Sequence, residues 1–312
     1  MNILFVHQNM PGQYRHLVPY LAQDSRNRVV FVTKRDGVDL PGVRRVTYQL
    51  TRAAQTTTHH YVRLFENCVL YGQAVLRACI SLASEGFEPD VMVAHPGWGE
   101  PLFLKDKFPR AKLLNYCKFF YHGRGADVGF DPEVGVDLDA ICETRIRNAH
   151  LLLSLEACDR GVSPTEWQRG LHPAGFRDKI SVIFDGVDTA TVRPNRRASF
   201  TLPNGRVLTV EDEVVTYVAR DLEPHRGFRS FMRALPELLR RRPDAQVLVV
   251  GGDGISYGLR APGGRTWRET MLDQVKGIDL ARVHFLGKIP YPRYLALLRV
   301  SSLHIYLTVP FV

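Results

Sequence analysis

Short apolar runs rich in β-branched residues alternate with longer helical stretches along almost the whole chain, and few folds accept that order. In the first half the strand candidates are residues 3–6, 29–33, 90–94, 112–117 and 180–184. Helical patterns lie between them, the longest over about 60–83. The alternation pauses over 188–212, which holds Pro194 and the turn signal Pro203-Asn204-Gly205. It then restarts with strands at 214–219, 246–250, 283–286 and 303–307 and helices at 229–240, 266–276 and 291–299. Strand and helix in this order predict βαβ units on parallel sheets. A chain of 312 residues is too long for one ordinary domain. The expectation is an α/β protein of two doubly wound domains, 1–190 and 213–312, joined by a 191–212 linker carrying a small hairpin. Pro19 fits only if the first helix begins near Arg15 or His16, which places it in the opening turn.

The final residues, 303–312, are among the most apolar in the chain, and no helical pattern follows them. Chain ends normally trail off in polar, loosely held residues. The second domain is therefore expected to be incomplete. No apolar run reaches the ~18–20 residues needed to cross a bilayer. The chain opens on strand one without a basic leader or cleavage site, which argues for the cytoplasm. Cys68, Cys79, Cys117, Cys142 and Cys158 are scattered, odd in number and without a Cys-x-x-Cys pair, so neither a disulfide framework nor a zinc ribbon is expected.

The formal charge is +9. Such a balance suits nucleic acid, an anionic membrane surface or phosphate-bearing substrates. The longest basic run, Arg240-Arg241-Arg242, closes a helical pattern before Pro243, where cations suit the helix dipole. With no basic tail, nucleic acid is set aside as a partner. Peripheral contact with the inner face of an anionic membrane stays open.

Doubly wound sheets place ligands beyond the carboxyl ends of their strands, so the loops there are where chemistry is sought. Strand one runs into His7-Gln8-Asn9-Met10-Pro11-Gly12, where Gly12 allows close backbone approach. A single glycine is not a dinucleotide fingerprint. The next such loop, His95-Pro96-Gly97-Trp98-Gly99-Glu100, sets His95 beside Trp98, an aromatic face suited to a sugar or base; a rigid turn with Trp98 as packing is the plain alternative. His122, ahead of Gly123, follows the strand at 112–117 and can bond a sugar hydroxyl or exchange a proton near neutral pH. Asp137-Leu138-Asp139 resembles a metal-binding Asp-x-Asp but opens a helical pattern, where acidic residues serve as caps. The sharpest signal is Arg220-Asp221-Leu222-Glu223-Pro224-His225-Arg226-Gly227. Two arginines flank a strand-to-helix turn, so both can meet one diphosphate; surface arginines paired with Asp221 and Glu223 are the alternative. Gly251-Gly252 at the next strand end permits backbone approach to a ligand.

These residues resemble the retaining glycosyltransferases of family 4, with two Rossmann-like domains in the GT-B arrangement. The resemblance runs over nearly the whole chain. It is carried by Val162-Ser163-Pro164-Thr165-Glu166-Trp167, Ile183-Phe184-Asp185-Gly186-Val187-Asp188, residues 217–228, residues 249–257 and Val283-His284-Phe285-Leu286-Gly287. It implies a nucleotide-sugar donor on the second domain, its diphosphate held by Arg220 and Arg226 beside Gly227, Gly251 and Gly252. The family commonly has Lys where Arg226 stands. It implies His122 near the reacting sugar and Gly12 in a loop facing donor and acceptor. It implies no metal or other cofactor, since cationic side chains and helix dipoles can neutralise the leaving diphosphate. The acceptor, an unidentified glycan or lipid-linked molecule, would lie against the first domain, as in polysaccharide biosynthesis. The family's donor motif, Glu-x7-Glu, would begin near Pro310-Phe311, and no Glu stands there. The chain as given is therefore expected to bind donor weakly and to turn over poorly or not at all. A sugar-nucleotide epimerase and a non-catalytic nucleotide-sugar-binding protein are the competing expectations.

Overall fold

The computed structural model describes residues 1–35, 39–133 and 135–308. The chain divides into two compact units, Met1–Asp185 and Gly186–Val312. Pro310 and Phe311, where the donor motif was placed, lie outside the described residues.

The first unit runs β1 (Asn2–Val6), α1 (Leu17–Ala22), β2 (Arg28–Thr33), β3 (Val43–Thr47), α2 (His60–Ser84), β4 (Val91–Ala94), α3 (Leu104–Lys107), β5 (Lys112–Tyr116), α4 (Leu138–Arg147), α5 (Ala149–Ala157), β6 (Arg160–Ser163), α6 (Glu166–Leu171) and β7 (Ile180–Val182). The strands form one parallel sheet in the order β3-β2-β1-β4-β5-β6-β7. Strand order reverses between β1 and β4, which makes their carboxyl ends the switch point where such sheets bind ligands. Both faces of the sheet are covered, so its strands read as near-continuous apolar runs. Leu4, Val6, Val30, Val32, Met92 and Leu113 face Ala74, Val75, Cys79 and Leu82 of α2. Ile3, Phe5, Val29, Phe31 and Val93 face Tyr14 and Val18 on the other side. Helix α1 is capped at His16, so Pro19 sits in its first turn, where its missing N–H costs nothing.

Two strands were not expected. In β3, Arg44 and Arg45 interrupt the apolar pattern, as suits a strand paired on one side only. In β6, four residues include Gly161, where a side-chain carbon would lie 2.7 Å from Cys117 Sγ. Asp137 caps α4, accepting the Ala140 N–H at 2.7 Å, and Asp139 accepts the Tyr61 hydroxyl at 2.6 Å. Both carboxylates of the Asp-x-Asp therefore have local structural partners.

The second unit holds β8 (Ser199–Thr201), β9 (Val207–Thr209), β10 (Val214–Asp221), α7 (Phe228–Arg241), β11 (Gln246–Gly252), α8 (Trp267–Gln274), β12 (Val283–Gly287), α9 (Tyr291–Val300) and β13 (Leu303–Ile305). Its parallel sheet is ordered β12-β11-β10-β13, repeating the pattern of the first unit around β10. The antiparallel hairpin β8–β9 packs Phe200, Leu202 and Leu208 among Val214, Leu248 and Leu297. Helix α7 buries Phe228, Phe231, Met232, Leu235 and Leu239, a stripe at helical spacing. Its Phe231 stacks on Tyr217 at 4.4 Å. The basic run is locally paired: Arg240 and Arg241 bond Glu237, and Arg242 bonds Glu213.

Candidate functional site

In the first unit, three of the expected positions gather around a residue the sequence did not single out. His7 leaves the end of β1 with its ring buried. Its Nδ1 accepts the Asn9 N–H at 2.8 Å, so Nε2 carries the proton and donates to Gln13 Oε1 at 2.6 Å. Burial holds its pKa down to about 4. Gly12 closes on this ring: its φ is +55°, and a side-chain carbon there would lie 2.7 Å from His7 Nε2. The His95 ring lies 5.0 Å from His7, 4.9 Å from Trp98 and 5.7 Å from Tyr116. His95 is only 6% exposed and caps the turn at Pro96–Trp98, accepting the Gly97 N–H at 3.1 Å. Its Nε2 is buried without a hydrogen-bond partner among the described residues. Burial first, then His7 and Lys118, push its pKa well below the ordinary range, so the ring is neutral. The half-buried Trp98 has more exposed surface for contact.

Below this group, Glu100 is fully buried; Tyr48 donates to its Oε1 at 2.9 Å, and burial raises its pKa to about 7. Tyr116, at the end of β5, donates to both Asp185 oxygens at 2.8 Å. Beside this pair opens a cavity of about 450 Å³ lined by Tyr14, Tyr20, Leu114 and Phe184 among others.

His122 stands apart from this group. It is exposed, its Nε2 donates to the Leu171 carbonyl at 2.8 Å, and it faces a separate cavity of about 330 Å³ with Phe120, Tyr121, Ile141 and Asn148. With Nε2 engaged as the donor, Nδ1 is the acceptor nitrogen.

In the second unit, Arg220, the penultimate residue of β10, is exposed, while the Arg226 side chain is 14% exposed in the turn before α7. Arg226 lies with its guanidinium 5.3 Å from the Tyr257 ring centre and its Nε 4.0 Å from Glu223 Oε1. Its carbonyl accepts the Tyr217 hydroxyl at 2.7 Å. Gly227, at φ +72°, turns the chain into α7 under Leu307, whose Cβ would stand 2.3 Å from any side-chain carbon there. Space in front of the next glycines is filled by protein. A Cβ on Gly251 would meet Leu222 at 2.7 Å, and one on Gly252 would meet Lys288 Cε at 2.4 Å.

Lys288 was not anticipated, although it directly follows the quoted Val283-His284-Phe285-Leu286-Gly287. Its Nζ lies 3.1 Å from Asp221 Oδ1. Burial pushes the Asp221 carboxyl up, but Ser256, Lys288 and Arg220 outweigh it and the net shift is downward. Arginines at a strand end ahead of a helix N-terminus, with a lysine beside them, suit an anion such as a diphosphate. Among the described residues, no group of three or more His, Cys, Asp or Glu could hold a metal ion.

Two Rossmann-like parallel-sheet units in series, each with its candidate groups at strand ends, define the fold class of the GT-B glycosyltransferases. Residues 25–192, just over half of the chain, match the glycosyl transferase family 4 group, and the chain belongs to that family. A D-inositol 3-phosphate glycosyltransferase from Segniliparus rotundus is 33% identical over 104 residues; the match spans 31% of this chain and 22% of the relative's length. The catalytic domain of starch synthase IV from Arabidopsis thaliana, bound to ADP and acarbose, superposes with a TM-score of 0.60 at 14% identity, covering 97% of this chain and 77% of that one. A UDP-GlcNAc 2-epimerase from Neisseria meningitidis bound to UDP-GlcNAc gives 0.51 at 13% identity, covering 97% and 77%. At such identities these two structures share the fold alone.

Proposed function

We propose that the chain is a glycosyltransferase that moves a sugar from a nucleotide-sugar donor, with retention of anomeric configuration, to a glycan or lipid-linked acceptor. The observation that carries this is the strand-to-helix turn of the second unit, where Arg220 and Arg226 flank the N-terminus of α7 in a chain of the family 4 group. Arginine stays charged and binds phosphate oxygens bidentately, so the pair would hold the donor diphosphate and stabilise the charge that grows on it as the glycosidic bond breaks. Gly227 shapes that turn, and Gly251 and Gly252, at the end of the neighbouring strand β11, would border the donor beside it. His122 is the proposed contact to the reacting sugar, offering Nδ1 to a hydroxyl. Gly12, His95 and Trp98 are the acceptor-side group, with Trp98 supplying the ring face and the buried His95 packed behind it. Among the described residues no helix is long and apolar enough to cross a membrane. Contact with an anionic bilayer would be peripheral, through the excess of basic residues.

The test is incubation of the chain with a panel of nucleotide sugars, following nucleotide release and the anomeric configuration of the freed or transferred sugar by proton NMR. Slow release with retention, lost in Arg226→Gln and reduced in His122→Ala, is the expected result. Epimerised donor without transfer would move the assignment to an epimerase. Binding of a nucleotide sugar with no product under any condition would make the chain a non-catalytic binding protein.

A further inference from the structure

In the second unit the most unusual group is a carboxylate, not a cation. Glu223 has 0% exposure, and a single oxygen of its side chain, Oε2, accepts three consecutive backbone N–H groups: Ser256 at 3.1 Å, Tyr257 at 3.2 Å and Gly258 at 3.1 Å. Three convergent amides of this kind are the arrangement proteins use to cradle an anion. Here the anion is built into the chain. Gly258 lets the loop close to this distance, since a Cβ there would lie 2.8 Å from His225 Nδ1 and 3.4 Å from Glu223 Oε2. The residue in the middle of the cradle, Tyr257, presents the ring beside which the Arg226 guanidinium lies, and the second oxygen of Glu223 faces Arg226 Nε at 4.0 Å.

We propose that Glu223 is a positioning residue for the donor diphosphate: it fixes Tyr257 through the amide cradle and faces Arg226 with its other oxygen, so that the guanidinium is held pointed before the donor arrives. This rests on the donor-site reading of Arg226 given above. Preorganisation of this kind lowers the cost of binding, because the arginine has fewer rotamers to lose. A neutral amide cannot serve both sides at once. In Glu223→Gln the oxygen can accept the three amides, which turns the NH2 toward Arg226, or it can face Arg226, which turns the NH2 into the amides. The loop itself keeps a second anchor, because Asp221 accepts the Ser256 hydroxyl at 2.6 Å independently of Glu223.

The experiment compares wild type, Glu223→Gln, Arg226→Gln and the double variant. Calorimetry measures UDP and ADP affinity, saturation-transfer NMR measures uridine and adenosine affinity, and thermal melting checks folding. A charge-assisted contact is worth about tenfold or more in affinity. Arg226→Gln is expected to weaken the preferred diphosphate by about that factor and its nucleoside by less than twofold. Glu223→Gln should weaken the diphosphate about tenfold, leave the nucleoside unchanged, and add little to the double variant, since both act through one contact. Equal loss of diphosphate and nucleoside, unchanged diphosphate affinity, or full additivity in the double variant would each overturn the positioning role. If Arg226→Gln binds the diphosphates as wild type does, or wild type binds neither, the donor-site reading itself is wrong and the proposal falls with it.

Discussion

Replacing Glu100 by Gln should make the first unit gain stability, relative to wild type, as the pH rises. The carboxyl is fully buried and its pKa is raised to about 7 from the ordinary value of 4.5. Its folded-state pKa lies above the unfolded one, so the folded state holds the proton more tightly. The stabilisation is complete below the unfolded value and is lost as the pH rises through about 7. A shift of this size corresponds to about 3 kcal/mol across the window, with no discount for exposure. His7 and His150 work in the opposite direction. Burial lowers both to about 4, so the unfolded chain takes up their protons first, and stability falls from about pH 6.5 toward pH 4. In wild type these titrations overlap and partly cancel; in Glu100→Gln only the histidine part remains, and the acid limb steepens. The assay is urea unfolding between about pH 5 and about pH 8, read through exchange of the buried amides of β1 and β4 so that only the first unit reports. Any fixed cost of the amide cancels, because the prediction concerns how the difference between variant and wild type changes with pH. A difference constant to within ~0.5 kcal/mol over that range would refute the raised carboxyl and the burial argument behind it.

Three further outcomes follow from the same packing. The ring protons of His7 and His150 should titrate near pH 4 in the folded chain, and NMR midpoints near their ordinary value of 6.5 would contradict the burial found here. Gly227→Ala should cost the second unit about 2–4 kcal/mol in denaturant unfolding, from a strained φ of +72° and a methyl forced to 2.3 Å from Leu307 Cβ; wild-type stability would show that the turn relaxes freely. Tyr116→Phe removes a donor to both Asp185 oxygens and should cost about 1.5–3 kcal/mol, with the far-ultraviolet spectrum unchanged; a loss under ~0.5 kcal/mol would mean water replaces the hydroxyl without cost.

The alternation of strands and helices was legible because parallel strands buried on both faces are almost wholly apolar, as in Ile3-Leu4-Phe5-Val6 and Val247-Leu248-Val249-Val250. The strand Val43–Thr47 was hidden by two arginines that an edge position tolerates, and Arg160–Ser163 by its shortness and its glycine. In the candidate site, local spacing revealed the arginines around the β10–α7 turn but not the burial of their acidic neighbours. Asp221 and Glu223 look in sequence like surface partners for Arg220 and Arg226. Only the pairing of β10 with β11 brings the Ser256–Gly258 amides onto Glu223 and Ser256 onto Asp221. His7 was passed over for a similar reason: its partners Gln13, His95 and Trp98 come together only because β1 and β4 are neighbours in the sheet. Gly251 and Gly252 read in sequence as permitting backbone approach to a ligand; in the fold, Leu222 and Lys288 occupy the space against them.

The central claim is that the donor diphosphate is held by the β10–α7 turn of the second unit. Its most direct test is a hydrogen-exchange footprint of the chain with and without saturating nucleoside diphosphate, UDP and ADP in turn. The account predicts slowed exchange in two segments, residues 220–228 and 251–258, that disappears in Arg226→Gln. Protection confined to the first unit, or none with either nucleotide, would contradict it.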